Sequence, residues 1–257
     1  ALVIVGGPTG SHVVDMITQD DGVPCIPVWV KAMTRTITTV LETKVHRQTA
    51  FFEPGPTVTE KEAASAIAAF ADAASRSKVA TFNGSVPDAS LDGLYEACIT
   101  RAHAAGVITI LDAYGEVFRR ALKARPYMVK PNCEEAEALL GFSVTTLDER
   151  LRAVEKFHES GATLVVLSMG ADGALVSRGA ERLWVKPPKI EEVNAVGSGD
   201  SLVAGFALGL EEGWPLEKMA RLGVAAGTAN ALSWDIGHFT RGEVDAMADQ
   251  VTITRLP

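Results

Sequence analysis

At 257 residues, 47% hydrophobic and 22% charged, the chain can bury a sizeable core as one main domain with a small appendage, and it is too apolar to be disordered. A formal net charge of −8 without any lysine-rich block argues against a nucleic-acid or anionic-membrane surface, although a local basic pocket for a phosphorylated ligand is compatible with it. Cys25, Cys98 and Cys133 are far apart and form no C-x-x-C pair, and no apolar run is long enough to span a bilayer, so a disulfide framework, a zinc site and a membrane anchor are not expected and a soluble, cytoplasmic protein is.

In chain order, "LVIVG" (2–6) reads as a strand and is followed by a turn and a helical pattern over 11–18. The strand-turn-helix "VGGPTGSH" raises a nicotinamide-nucleotide site. Against that, G-G-x-x-G lacks the G-x-G-x-x-G spacing, and no acid closes the next strand. From Thr34 to Glu53 the chain is rich in threonine, valine and aromatics with no helix between its halves, which predicts two antiparallel strands projecting as a lid. "EPGP" (53–56) marks the return to the main domain. Beyond it, helical patterns at 59–75, 89–105, 115–124 and 146–160 alternate with strand-like runs at 78–84, 107–113, 127–132 and 163–170, and further helices follow at 200–212, 215–233 and 240–250. The runs are continuously apolar, as suits strands buried on both faces, so the pattern predicts a mostly parallel sheet covered by helices.

Ligands of open α/β sheets sit at the carboxyl ends of the strands. Here those ends carry Asn83-Gly84-Ser85, Asp112, Lys130-Pro131-Asn132 and Ser168-Met169-Gly170. One further stretch stands out, "NAVGSGDSLVAGFALGL" (194–210), in which apolar Leu202, Val203, Phe206 and Leu210 share one helical face. Gly197, Ser198 and Gly199 then lie at a helix amino terminus, where unpaired amides and the positive dipole end favour an anion. Asp200 has two readings: a first-turn acid that the dipole favours, or a general base beside an anion hole.

This stretch resembles the carboxy-terminal signature of the ribokinase-like (PfkB-type) sugar kinases. "VKPNCEEAEALLG" (129–141) is similar to the K-P-N-x-x-E segment of the branch that acts on sugar phosphates, the 1-phosphofructokinases and tagatose-6-phosphate kinases among them. "NGSVP" (83–87) and "LSMGADGAL" (167–175) match other segments of the family, and the resemblance covers almost the whole chain. It implies a ribokinase-like three-layer α/β sandwich: residues 1–32 and 54–257 forming the nucleotide- and sugar-binding domain, and residues 33–53 forming a β lid. It also implies ATP-dependent phosphorylation of a phosphorylated ketohexose, fructose 1-phosphate first and tagatose 6-phosphate second. Another sugar or nucleoside kinase of the family, or a non-catalytic binder, are the alternatives.

By the same resemblance, Asp200 is the catalytic base and the amides of Gly197, Ser198 and Gly199 form the anion hole. Asn132 and Glu135 organise Mg2+ and the ATP phosphates through waters, although the pair equally fits a capping box. Lys130, Ser168, Gly170 and Gly173 follow the nucleotide, and Asn230 lies near the adenine edge. Gly84 and Arg35 bind the sugar phosphate. In the lid, "MTRTI" keeps the arginine of the family's E-T-R-x-N while Met33 and Ile37 replace its acid and amide. A homodimer through the lid is implied as well. Because full-length relatives place a strand and a lid segment ahead of the run that starts here at Ala1, a partial chain is expected.

Overall fold

The computed structural model describes residues 1–42 and 47–257, so the tip of the expected lid, residues 43–46, lies outside the described residues. The chain divides into a unit of Ala1–Ala73 with Val86–Leu94 and a larger one of Ala74–Ser85 with Tyr95–Pro257.

In the smaller unit, β1 (Leu2–Val5) leads into α1 (Gly7–Asp15), which begins four residues before the apolar pattern suggests. Pro8 accounts for the early start, since its fixed φ and missing N–H suit a first helical turn. Strand β2 (Ile26–Trp29) runs parallel to β1, from Leu2 opposite Ile26 to Val5 opposite Trp29. This strand escapes sequence reading because Pro27 sits inside a run of only four residues, and a proline is tolerated at such an edge. The opening strand therefore pairs with β2 in a sheet of its own. Next, β3 (Ile37–Glu42) and β4 (Arg47–Phe52) form an antiparallel pair in which Ile37 stands opposite Phe52. After the hairpin comes α2 (Glu60–Ala74), started by Thr59, whose hydroxyl and amide both donate to Glu62. The unit's small core gathers Val30, Val58 and Leu91 with Ile4, Ala63, Val86 and Leu94.

The larger unit follows the strand-helix alternation: β5 (Val79–Asn83), α3 (Leu94–Ala104), β6 (Ile108–Asp112), α4 (Gly115–Ala121), β7 (Met128–Val129), α5 (Cys133–Leu140), α6 (Leu147–Glu159) and β8 (Leu164–Ser168). Strands β5 to β8 are mutually parallel. Three antiparallel strands extend this sheet: β9 (Ala174–Arg178), β10 (Glu181–Lys186) and β11 (Thr252–Leu256). All three escape the sequence pattern, because they are short and half polar. Between β10 and β11 in sequence lie α7 (Ser198–Glu211), α8 (Leu216–Ala231) and α9 (Arg241–Ala248).

Pleating sorts the sheet's side chains between two helical layers. Ile110, Met128, Leu164 and Val166 face the cluster of Leu202, Val203, Phe206, Met219 and Val224 from α7 and α8. Their neighbours Leu111, Val129, Val165 and Leu167 are equally buried and point the other way. Phe118 of α4 meets Phe157 of α6 edge-on at 6.1 Å between centroids. A side chain such as Phe157 or Phe206, fully removed from water, contributes about 1.5–3 kcal/mol.

Reciprocal caps fix where the helices begin. Thr146 and Glu149 start α6, and Thr240 and Glu243 start α9. The Glu149 carboxylate accepts from the amides and hydroxyls around Thr145 and Thr146, and these bonds hold its pKa down to about 2. Since the folded value lies below the ordinary 4.5, the stabilisation is complete above that pH and is lost as the pH falls toward about 2. The difference in melting temperature between the native chain and Glu149→Gln is therefore expected to be clear at neutral pH and to vanish near pH 2, as melting curves across that range would read.

Candidate active site

Ladder hydrogen bonds bring the polar ends of the parallel strands into one row. Asn83 and Asp112 are register partners, and the Gly84 amide donates to the Asp112 carbonyl at 2.8 Å. The Lys130 amide donates to the Leu111 carbonyl and the Ser168 amide to the Pro131 carbonyl, each at 3.0 Å. Asn132 then bridges to Ser168. Tyr95, which sequence reading passed over, ties down this edge by donating its phenol to the Asn83 carbonyl at 2.8 Å. Burial pushes its pKa up to about 12, so it remains a donor at neutral pH.

Within this row, the Lys130 ammonium pairs with the Asp112 carboxylate at 3.0 Å, with side chains only 7% and 14% exposed. Burial pushes the Asp112 carboxyl above its usual range. Lys130 pulls it back, and the charges of Asp200 and Glu135 push it up again. Asp200 and Glu135 are thus both within electrostatic reach of Asp112, which is paired with a buried cation. The sequence places Asp112 among the polar strand ends, closing the apolar run "VITIL", and gives it no chemical role of its own.

The amino terminus of α7 arrives at the same place. Gly197 is its N-cap, with φ of 81°, and a Cβ there would stand 2.4 Å from Ile236 Cγ2. Both facts require glycine. At Gly199 a Cβ would stand 3.3 Å from Lys130 Nζ and press on it, so the glycine leaves the ammonium room. The Ser198 amide donates to the Ala195 carbonyl at 3.1 Å. Gly199 and Asp200 supply first-turn amides for which helix geometry provides no acceptor within the helix. Asp200 itself is exposed.

The remaining residues divide by accessibility. Asn132 and Glu135 form a complete capping box on α5, with the Asn132 Oδ1 accepting at 2.8 Å and the Glu135 Oε2 at 2.9 Å. Ser168 is half-buried at the end of β8, its hydroxyl 3.5 Å from the Pro131 carbonyl. Gly170 and Gly173 shape the β8–β9 turn, and at Gly173 a Cβ would collide with the Val185 carbonyl. Asn230 anchors the loop that precedes α7. Only 1% exposed, it donates to the Val196 carbonyl at 2.7 Å and to Ser198 Oγ at 3.1 Å, and it accepts from the Gly237 amide at 2.8 Å. These bonds use both amide hydrogens to hold the loop before α7 and one lone pair of Oδ1 to hold Gly237. Arg35 belongs to the other unit, half-buried in the segment between β2 and β3.

Among the described residues, no group of three or more His, Cys, Asp or Glu side chains is arranged to hold a metal ion directly. Nor is any described helix long and apolar enough to cross a membrane.

A sheet edge carrying a buried lysine, converging carboxylates and a glycine-opened helix terminus, between two helical layers, defines a ribokinase-like kinase fold. Known proteins bear this out. The chain spans 97% of its length on phosphofructokinase-2 from Escherichia coli, solved with potassium, at a TM-score of 0.88 and 30% identity, and covers 81% of that chain. It is 31% identical to the 1-phosphofructokinase of Bacillus subtilis over 259 residues, covering all of this chain and 82% of the relative. Against the tagatose-6-phosphate kinase of Staphylococcus epidermidis it is 29% identical, covering 97% of this chain and 80% of the relative. The pfkB family carbohydrate kinase profile matches residues 1–234. The chain belongs to the pfkB family of carbohydrate kinases.

Proposed function

We propose that the chain transfers the γ-phosphoryl group of ATP to a phosphorylated ketohexose, with fructose 1-phosphate the preferred acceptor and tagatose 6-phosphate the second. The observation that carries this reading is the meeting of Lys130, Asp112 and the first turn of α7 at one strand edge. Lys130 and the free amides of Gly199 and Asp200 would bind the transferring phosphoryl group, and Asp200 would take the proton of the attacking hydroxyl. Gly84 would approach the sugar, and Ser168 with the turn of Gly170 and Gly173 would follow the nucleotide. Exposed Val193, Val196, Trp234 and Ile236, clustered around the loop that opens α7, offer an apolar shelf for the base. The pairing of two anionic substrates with three nearby carboxylates calls for Mg2+, and hard oxygen donors without a closed cage suit an ion that keeps its waters. Asn132 and Glu135 would hold it through those waters; bound there, it offsets phosphate charge.

The antiparallel pair β3–β4 would act as the lid and dimer surface. Its exposed Ile37, Val40, Phe51 and Phe52 support this, as such side chains seek cover. Arg35, whose planar fork suits a phosphate, would grip the phosphate already on the sugar. Arg35→Ala is accordingly expected to raise KM for the sugar phosphate at least tenfold while leaving KM for ATP within about threefold. An equal effect on both substrates would remove Arg35 from the sugar site. A coupled ATP-consumption assay over fructose 1-phosphate, tagatose 6-phosphate, fructose 6-phosphate and the free sugars tests the function itself. Turnover confined to unphosphorylated sugars would overturn it.

A further inference from the structure

Lys130 sits where an ammonium ion is poorly placed on its own. It is 5% exposed, and it lies against Gly199 at the amino terminus of α7, the positive end of that helix's dipole. Desolvation and the dipole both act to drive the charged head group out. The counter-charge that keeps it there is Asp112 at 3.0 Å, from the neighbouring strand. Asp112 is itself fixed by the ladder, opposite Asn83 and with its carbonyl accepting from Gly84. We propose that Asp112 is a positioning residue for phosphoryl transfer, holding the Lys130 ammonium against the first turn of α7 so that ammonium and helix amides face an incoming phosphate as one preset site.

This rests on the kinase reading above. It accounts for the glycine at position 199, where the helical backbone demands none: a Cβ there would stand 3.3 Å from the ammonium that Asp112 holds in place and would press on it. It also explains why a buried carboxylate stands beside a site that must take polyanions. Paired with Lys130 it adds no net charge, and an arriving phosphate shares an ammonium already desolvated and aimed, so little reorganisation remains for the transition state.

The test is a double-mutant cycle of Asp112→Asn, Lys130→Met and the pair, with kcat and KM for ATP read separately and melting curves recorded for each. Asp112→Asn keeps the size of the side chain and is expected to lower kcat about 10- to 100-fold, with KM for ATP within about threefold, because the loss falls on charge that develops during transfer. In the Lys130→Met background the same change should cost no more than about twofold, since nothing is left to position. The paired variant has no buried charge of either sign at this spot, so it is the one least prone to misfold. Losses that multiply in the pair, or an Asp112→Asn protein at native turnover, would overturn the proposal. Should the native chain phosphorylate no sugar or sugar phosphate, the kinase reading fails instead, and the positioning is then read without turnover. Labelling of Lys130 by an acylating reagent, followed by mass spectrometry, should be several-fold faster in Asp112→Asn; equal labelling would overturn the proposal.

Discussion

Asp200→Asn is expected to lower turnover by roughly 10²- to 10⁴-fold, the usual consequence of losing a general base, while KM for ATP and for sugar phosphate each stay within a few-fold. The change is isosteric and removes the proton acceptor together with its negative charge. Asp200 is exposed on the first turn of α7, so no packing is lost. The melting temperature should scarcely move, which separates a chemical defect from a folding one. The bland alternative, an acid placed there only to suit the dipole, gives the opposite result: near-native turnover with a slightly lower melting temperature. Steady-state rates of the two proteins at saturating substrates decide between them.

Much of the site was legible in the sequence because its geometry is short-range. A strand that ends in Lys-Pro-Asn and runs into a helix fixes Lys130, Asn132 and Glu135 within six residues, and Gly-Ser-Gly-Asp before an apolar helical face fixes the terminus of α7. The parallel strands were legible for a similar reason, since burial on both faces leaves a continuous apolar run. What escaped depends on partners far away in sequence. Asp112 looks like the end of a strand until β7 delivers Lys130 beside it. Asn230 looks like a polar face of α8 until the loop at 194–198 folds over it and claims its amide. Strands β9 to β11 carry half-polar patterns that identify them only once they have a sheet edge to pair with. Strand β2 has so few residues that only its register with β1 reveals it.

The glycines within α7 and α8 show how a packing rule written over the whole helix pair places the site, and they yield the largest stability effect expected. Gly205 and Gly209 lie one turn apart on α7, as do Gly223 and Gly227 on α8. A Cβ on Gly205 would stand 2.7 Å from the Cα and 2.8 Å from the amide nitrogen of Gly223, closer than any methyl group is accepted. At Gly227 the obstacle would be the Ser198 carbonyl at 2.9 Å, on the very turn that opens α7 toward the phosphate site. The two helices are thus in backbone contact, and their separation sets where the first turn of α7 points. Gly205→Ala gains about 1 kcal/mol of helix propensity, yet the methyl must push two backbones apart, and overpacking of that kind costs about 1–3 kcal/mol or more. Gly205→Val carries a larger side chain and loses most of the propensity gain, so a net loss of about 3 kcal/mol is expected, a fall in melting temperature of about 6–12 °C for a chain of this size. Turnover should fall with it, because Lys130 and the amides of α7 no longer meet. Gly209 is the internal control. Its added Cβ would meet a side chain and no backbone, Met219 Cγ at 2.3 Å, so relief there takes repacking of one buried thioether and leaves the two helix backbones where they are. Gly209→Ala should consequently be the milder of the two alanine variants, both in melting temperature and in kcat. If melting curves put Gly205→Ala at or above Gly209→Ala, the backbone contact between α7 and α8 is not what fixes the active-site turn.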